Sequence, residues 1–287
     1  MLEDNLFGVR DELLAGTYSH GAYWPFTVFD PKRRLIHKAT VRDRVVHQAV
    51  VNAVEPLFDP AFVFDSYSCR VGKGTHAAVK RLRKFLRQAS VNDARTAYVL
   101  KCDVRKFFAS VDHAIFLRLV GRNVGGRTLE LIKGVVASFS SSPGKGIPLG
   151  NLTSQLFANI YLNELDRYVK HGLREKRYVR YCDDFAIVGD DRKALLQLVG
   201  PIAEFLGSEL SLALHPKKVE IRPWAQGVDF LGYVLMPRCT ILRPKTARRM
   251  LARVDASNVA SYLGLCSHAD AYELERNLRV GAWTHPV

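Results

Sequence analysis

Apolar residues recur along this chain at two spacings. In RDRVVHQAVVNAVEPLF (42–58), Val45, Val46, Ala49, Val50, Ala53, Val54 and Leu57 fall three or four apart, which predicts a helix with one apolar stripe. Pro56 predicts that this helix ends or bends there, because proline has no amide hydrogen to donate. HAAVKRLRKFLRQ (76–88) predicts a second, very basic helix. YVLKCDV (98–104) reads as a buried strand ending at Asp103, followed by a short turn, RKFFASVD, and a helix over 112–120 with Asp112 as its N-cap. In 152–169, Leu152, Leu156, Phe157, Ile160, Tyr161 and Leu165 share one helical face. YVRY and FAIV flank Cys182 and the adjacent Asp183 and Asp184, which predicts a hairpin with carboxylates at its tip. A helix follows over 193–206, kinked or restarted by Pro201; LSLALHPKKVEI and VDFLGYVLM read as further strands, and 245–280 as two helices. Strands interleaved with helices predict an α+β fold with the hairpin at the centre of an antiparallel sheet.

The 287 residues allow one large domain or two to three tightly joined subdomains, and a hydrophobic fraction of 48% supplies a core. No apolar run reaches membrane-spanning length, so no membrane partner is expected. The start, MLEDNLFGVRDEL, is acidic and mixed, unlike a secretory leader, and a cytoplasmic location is expected. The formal net charge is +14, with cations spread along the whole chain. That favours a polyanion bound over a long surface, nucleic acid first, although a merely soluble basic protein has the same charge. The cysteines Cys69, Cys102, Cys182, Cys239 and Cys266 are scattered, without metal-ligand spacing, and read as reduced thiols.

Two aspartate pairs compete for a functional role. Asp190 and Asp191 follow Gly189 and precede RKALLQLV, where an N-cap to a helix is the natural reading. The Gly-Asp-Asp triplet resembles a viral RNA-polymerase motif, but it opens a helix rather than tipping a hairpin. Asp183 and Asp184 occupy a hairpin tip, and Asp103 ends another strand. Three carboxylates brought together require a divalent cation; kept apart, they are a solvated acidic turn. Magnesium suits such oxygens together with substrate phosphates, and a pair of ions can assist an in-line displacement.

The YCDD tetrapeptide at 181–184 matches the YxDD box of reverse transcriptases, and other blocks occur in that family's order. RLIHKATVRDRVVHQAV and DSYSCRVGKGTHAAV resemble the fingers motifs of bacterial members. LKCDVRKFFASVDH resembles the palm block with the first metal aspartate, and KGIPLGNLTSQLFANIYLNELD the template-and-nucleotide block; LHPKKVEI and FLGY follow as later palm blocks. The resemblance covers roughly 30–280 and implies a right-hand polymerase, with fingers over 1–95, palm over 96–235 and a short helical thumb over 236–287. It implies an RNA-directed DNA polymerase acting on an RNA template, a cDNA or primer duplex and deoxynucleoside triphosphates. It implies that Asp103, Asp183 and Asp184, with the Val104 carbonyl, hold two Mg2+ ions. Phe108 takes the place of a steric gate against a 2′-hydroxyl, unless it merely packs beside Phe107. Arg33 or Arg34 would clamp the triphosphate, unless they are surface charges, and Lys218, or Lys217 if the register slips, would protonate leaving pyrophosphate, unless both only contact phosphate. Phe230, Leu231 and Gly232 would support the primer end or pack in the core.

One block departs from the common pattern. Where many members have Gln-Gly-x-x-x-Ser-Pro, this chain has Leu149, Gly150, Asn151, Leu152, Thr153, Ser154 and Gln155. An apolar residue before GNLTSQ, with SYLGLCSHADAYEL further on, resembles the enzymes of diversity-generating retroelements. Those copy a template-repeat RNA with errors at adenine and work with a small, basic, multimeric accessory variability protein. Leucine at 149 can neither donate nor accept a hydrogen bond, so the resemblance makes it a candidate cause of low discrimination near the nascent pair, alongside simple packing. The alternatives are another bacterial reverse transcriptase of ordinary fidelity, group II intron-like or defence-associated, an RNA-dependent RNA polymerase, and a non-catalytic RNA-binding polymerase fold. VGKGTH and PGKGIP are not phosphate loops of the GxxxxGK[ST] kind, because glycine follows the lysine in both.

Overall fold

Both faces of one short antiparallel sheet are covered, and that arrangement organises the molecule. The computed structural model describes residues 2–29 and 33–284; Met1 and 30–32 of the expected fingers and 285–287 of the expected thumb lie outside the described residues. The chain starts with α1 (Leu2–Ala15) and a hairpin of β1 (Trp24–Val28) and β2 (Arg34–Lys38). Helices α2 (Val41–Phe58) and α3 (Thr75–Ala89) lead into β3 (Tyr98–Asp103). A single turn, α4 (Phe107–Ser110), is followed by α5 (His113–Val120), α6 (Gly126–Ala137) and α7 (Leu152–Arg167), then by the hairpin β4 (Tyr178–Tyr181) and β5 (Asp184–Gly189). After α8 (Arg192–Gln197) and α9 (Val199–Leu210) come β6 (Glu220–Pro223), β7 (Val228–Phe230), β8 (Tyr233–Leu235) and β9 (Thr240–Leu242). Helices α10 (Pro244–Arg253), α11 (Val259–Cys266) and α12 (Tyr272–Thr284) end the described chain. The fold is α+β, as expected.

The main sheet has the order β4-β5-β3-β6, antiparallel throughout, while β7, β8 and β9 form a smaller sheet. Alternate side chains enter two separate cores, as strand pleating requires. Leu100, Cys102, Tyr178, Phe185 and Ile187 meet residues of α2, α5, α7 and α9, among them Val54, Phe116, Tyr161 and Leu206. Val99, Val179, Ala186 and Val188 meet Leu82, Phe85 and Leu86 of α3 together with Trp224, Phe230 and Tyr233. Burial on both faces is why these strands read as largely apolar runs, interrupted only by Lys101 in β3 and Arg180 in β4.

Several expectations need correction. The YCDD hairpin is not central: β5 lies inside the sheet, but β4 is an edge strand. Helix α2 continues through Pro56 to Phe58. The expected single helix over 193–206 is two, broken at Leu198, with Pro201 inside the first turn of α9, where a missing amide hydrogen costs little. Only Glu220–Pro223 of the expected strand after Leu210 is a strand, and VDFLGYVLM is a two-strand hairpin. The C-terminal part holds three helices rather than two. Helix α7 is buried nearly all round, with Asn159, Asn163 and Asp166 inside as well as the apolar face, while Leu152 is exposed.

The exposed backbone of β4 is covered by residues 65–67. Arg180 N donates to Asp65 O at 2.9 Å, and Tyr67 N donates to Arg180 O at 2.9 Å. The Arg180 side chain is buried beneath this seam. Its Nε and Nη2 donate to the two carboxylate oxygens of Asp166, each at 2.7 Å; Nη2 also reaches Ser66 Oγ at 3.0 Å, and Nη1 reaches the Cys182 carbonyl at 3.0 Å. Arg180→Met leaves Asp166 as a buried charge without its partner, and a loss of about 3–5 kcal/mol in urea unfolding is expected. Arg180→Met combined with Asp166→Leu should recover much of that loss, because the orphaned charge is gone; a double variant as unstable as the single one would assign the loss to packing instead.

Candidate active site

Strand register brings the first two carboxylates together. Asp103 at the end of β3 is the direct cross-strand partner of Asp184 at the start of β5. The link between β4 and β5 is only Cys182 and Asp183, and Cys182 adopts φ +55°, a left-handed conformation that costs a residue with a Cβ. Arg180 Nη1 holds the Cys182 carbonyl, and Val104 N donates to the Asp183 carbonyl at 3.1 Å. The turn is thus pinned from the core and from β3.

The segment after Leu210 runs beside the end of β3 without forming a full strand. Arg105 N donates to Ala213 O at 2.8 Å, His215 N donates to Asp103 O at 2.8 Å, and Val104 bridges Leu214. This contact brings Lys218 Nζ to 2.6 Å from Asp103 Oδ2. Lys217 is exposed, and its amide donates to His215 Nδ1. Of the two lysines, Lys218 is the one paired with a carboxylate of the sheet end.

The carboxylates are under electrostatic tension. Burial raises the Asp183 pKa, and the Asp103 carboxylate adds to the rise. Asp184 is pushed up to about 6, by burial first, with Asp103 and Asp183 adding and Lys101 and Lys218 opposing. Three acids thus face two lysines, and the excess negative charge suits a hard divalent cation with oxygen ligands. Among the described residues, however, no group of three or more His, Cys, Asp or Glu side chains is gathered around one point to hold a metal. The Lys218 ammonium supplies the positive charge on Asp103 instead. Burial also pushes the thiols of Cys102 and Cys182 up to about 12, so both stay protonated and poorly nucleophilic.

A strap over 146–151 connects this centre to the N-terminal hairpin. Ile147 N donates to Phe108 O at 2.8 Å, His37 N to Leu149 O at 3.0 Å, and Asn151 Nδ2 to His37 O at 2.8 Å. Gly150 has φ +104°, and a Cβ there would lie 2.5 Å from Ile36 Cγ2, so the close approach requires glycine. Phe108 is half-buried, its ring edge-on to Phe107 with centroids 5.4 Å apart. Leu149 is half-buried and Gln155 exposed. Arg33 and Arg34 are exposed at the start of β2, with no side-chain partner among the described residues. The structure therefore joins Leu149 and Gly150 to β2 and joins Phe108 to the strap, while Gln155 and the two arginines make no contact with the carboxylates. Phe230 is wholly buried, and the Leu231–Gly232 turn has φ +51° and +93°.

Other expectations resolve plainly. Asp191 caps α8 by accepting from Lys193 N at 2.7 Å, and Asp112 caps α5. Lys73 of VGKGTH donates to the Phe64 carbonyl and lies over the Phe64 ring, a structural role. Sequence reasoning missed Lys101, which faces Asp184, and missed Arg180. A charged residue between apolar neighbours in YVRY was the available signal for Arg180.

Comparison with known proteins accords with this geometry. The model of the family described as reverse transcriptase (RNA-dependent DNA polymerase) matches residues 30–235. Protein YkfC of Escherichia coli K12 is 26% identical over 271 residues, covering 79% of this chain and 70% of that protein. The group II intron-encoded protein LtrA of Lactococcus lactis subsp. cremoris is 24% identical over 318 residues, covering 83% of this chain and 52% of LtrA. The chain thus spans about half the length of that intron-encoded relative. Among solved structures, telomerase from Candida albicans with a fragment of telomeric RNA has a TM-score of 0.58 at 11% identity, covering 83% of this chain and 51% of that one. Telomerase from Candida tropicalis reaches 0.56 at 10% identity, covering 92% and 52%. These likenesses show a shared polymerase palm fold. Among the described residues, no helix is long and apolar enough to cross a membrane.

The raised Asp184 pKa has a consequence for stability. A carboxyl whose folded pKa lies above its unfolded value binds its proton more tightly in the native state. Stability of the metal-free chain should therefore fall as pH rises from about 4 to about 6, and level off above that. Asp184→Asn removes the buried charge and is expected to stabilise the metal-free chain by about 1–3 kcal/mol at neutral pH and to flatten that slope. Urea melts across the pH range check both; an unchanged slope in the variant would refute the assignment.

Proposed function

Because the chain belongs to the reverse transcriptase family, the RNA-dependent DNA polymerases, we propose that it extends a primer 3′ end on an RNA template with deoxynucleoside triphosphates, and that it does so with errors opposite adenine, as the polymerase of a diversity-generating retroelement. The observation that carries the polymerase reading is the pairing of Asp103 with Asp184, with Asp183 in the adjoining turn and Lys218 on Asp103. In this reading residues 1–95 are fingers, 96–235 palm and 236–287 thumb. Asp103, Asp183 and Asp184, with the Val104 carbonyl, would hold two magnesium ions. Magnesium bound there would neutralise charge on the attacking and leaving oxygens.

The chain's own residues do the rest. The sheet end presents the carboxylates from strands whose backbones are mutually bonded, so little reorganisation is needed to position them. Lys218, bonded to Asp103 at the same end of the sheet, is the proton donor for leaving pyrophosphate. Phe108 limits the space beside the sugar, Arg33 or Arg34 meets the triphosphate, and Gly150 and Gln155 border the nucleotide and template. Leu149 is tied to β2 through its backbone. Its side-chain chemistry can therefore change without moving the strap, which supports treating it as a fidelity determinant. The retroelement reading also brings a small, basic, multimeric accessory protein as partner.

A second reading, an intron-type reverse transcriptase of ordinary fidelity, is favoured by the likeness to the intron-encoded protein LtrA. Primed extension on a defined RNA with magnesium and deoxynucleotides, every product sequenced, separates the two. Errors clustered opposite template adenine, reduced severalfold by Leu149→Gln, are expected. Evenly spread rare errors favour the intron-type enzyme. Product no greater than that of Asp183→Asn, with accessory protein supplied, would refute the polymerase reading altogether.

A further inference from the structure

The outer face of α3 carries charge that the fold does not use. The inward face of this helix is Ala78, Val79, Leu82, Phe85, Leu86 and Ala89, all buried against the sheet. On the opposite side, Lys80, Lys84 and Arg87 are exposed at helical spacing, with Arg83 between them. They line a hollow of about 530 Å³ that Gln88, Val91 and Asn92 complete. Lys80, Lys84 and Arg87 make no ion pair or side-chain hydrogen bond among the described residues. Arg83 is occupied, donating to Thr240 Oγ1 at 2.9 Å and to the Arg238 carbonyl. The nearby acid, Asp93, is engaged with Ser90. Four like charges three and four residues apart repel one another and destabilise a helix, so folding alone gives no reason to collect them here.

The hollow is also away from the chemistry. Helix α3 is hydrogen-bonded to the YCDD box at its first residue, where Thr75 Oγ1 donates to Tyr181 OH at 3.3 Å. Lys80, Lys84 and Arg87 lie five, nine and twelve residues further on, roughly 8–18 Å along the axis at about 1.5 Å per residue. Val91 is the one exposed apolar residue of the lining, and no aromatic ring is present. A protein partner or an inserted membrane surface would need an apolar anchor there. A phosphate backbone needs cations alone.

We propose that this face of α3 is an exosite for the phosphate backbone of single-stranded RNA, holding template that extends beyond the catalytic cleft. The proposal deepens the polymerase reading, but its test involves no synthesis, so the two can fail separately. The full chain is titrated with a long, labelled single-stranded RNA by fluorescence anisotropy over a range of salt, with no nucleotide present. Replacing Lys80, Lys84 and Arg87 together by glutamine should make the slope of log K against log salt shallower by about 2, at about 0.7 per phosphate contact, and weaken binding about a hundredfold near 0.1 M salt. Gln88→Lys, on the same rim, should steepen the slope by about 0.7. The triple variant should still extend a short primer–template that the cleft alone can hold. Slopes equal to that of the unaltered chain would overturn the proposal. So would a triple variant that keeps its RNA binding but no longer binds vesicles containing phosphatidylserine, since the face would then be a membrane site.

Discussion

The buried ion pair between Arg180 and Asp166 is the contact on which the active hairpin rests. Taking two charges out of water costs several kcal/mol per ion, and only excellent geometry offsets it. Here the geometry is full: the guanidinium meets both carboxylate oxygens, Asn159, Ser66 and the Cys182 carbonyl, while Tyr178 OH also donates to Asp166. One side chain thereby ties α7, the 65–67 segment, β4 and the turn into a single unit. An apolar pair could fill the same volume, but it would leave the Cys182 carbonyl without its donor and the left-handed turn less firmly fixed. The pair contributes shape more than net stability.

What that shape produces is a local instability of charge. Once β4 and the turn are fixed, Asp184 has no freedom to separate from Asp103, because β3 pairs with β5 in a register that sets one against the other, and Asp183 follows in the adjoining turn. Burial and mutual repulsion then push both hairpin acids toward the protonated form. A site optimised for stability would not be built so; one built to receive cationic charge would. Lys218 sits on Asp103 for the same electrostatic reason, and its exposed stem leaves it free to leave.

The sequence made the centre of the fold legible and the periphery obscure, for physical reasons. YVLKCD and FAIVG were readable because both faces of the sheet are covered, which leaves compact apolar runs between turn signals. Asp112 and Asp191 were readable because capping is a local interaction. Helix α1 and the β1–β2 hairpin carry no such pattern: Leu6, Phe7, Leu14, Trp24 and Phe26 are exposed, so apolar positions there do not mark a core. Pro56 misled because it falls in the last turn of its helix, where little remains to be broken. The three aspartates were found by motif and order, but Arg180 and Lys101 were not. Arg180 takes its role from Asp166 on α7 and Lys101 from its neighbours across the sheet, contacts that spacing along the chain does not encode.

The same helix joins the two regions of interest. The apolar face of α3 seats on β4 and β5, its first residue touches Tyr181 of the YCDD box, and its outer face gathers unpaired cations. The net charge of +14 is therefore not merely dispersed for solubility. Around the carboxylates the cations are matched by acids, with Lys218 on Asp103 and Lys101 near Asp184 and Glu220. On the outside of α3 they are unmatched. A polyanion drawn to the molecule by long-range attraction gains more from the unmatched charges than from the neutralised ones. Because α3 is packed rigidly on the strands that carry the aspartates, a strand held on its outer face is held by the same body that positions the chemistry.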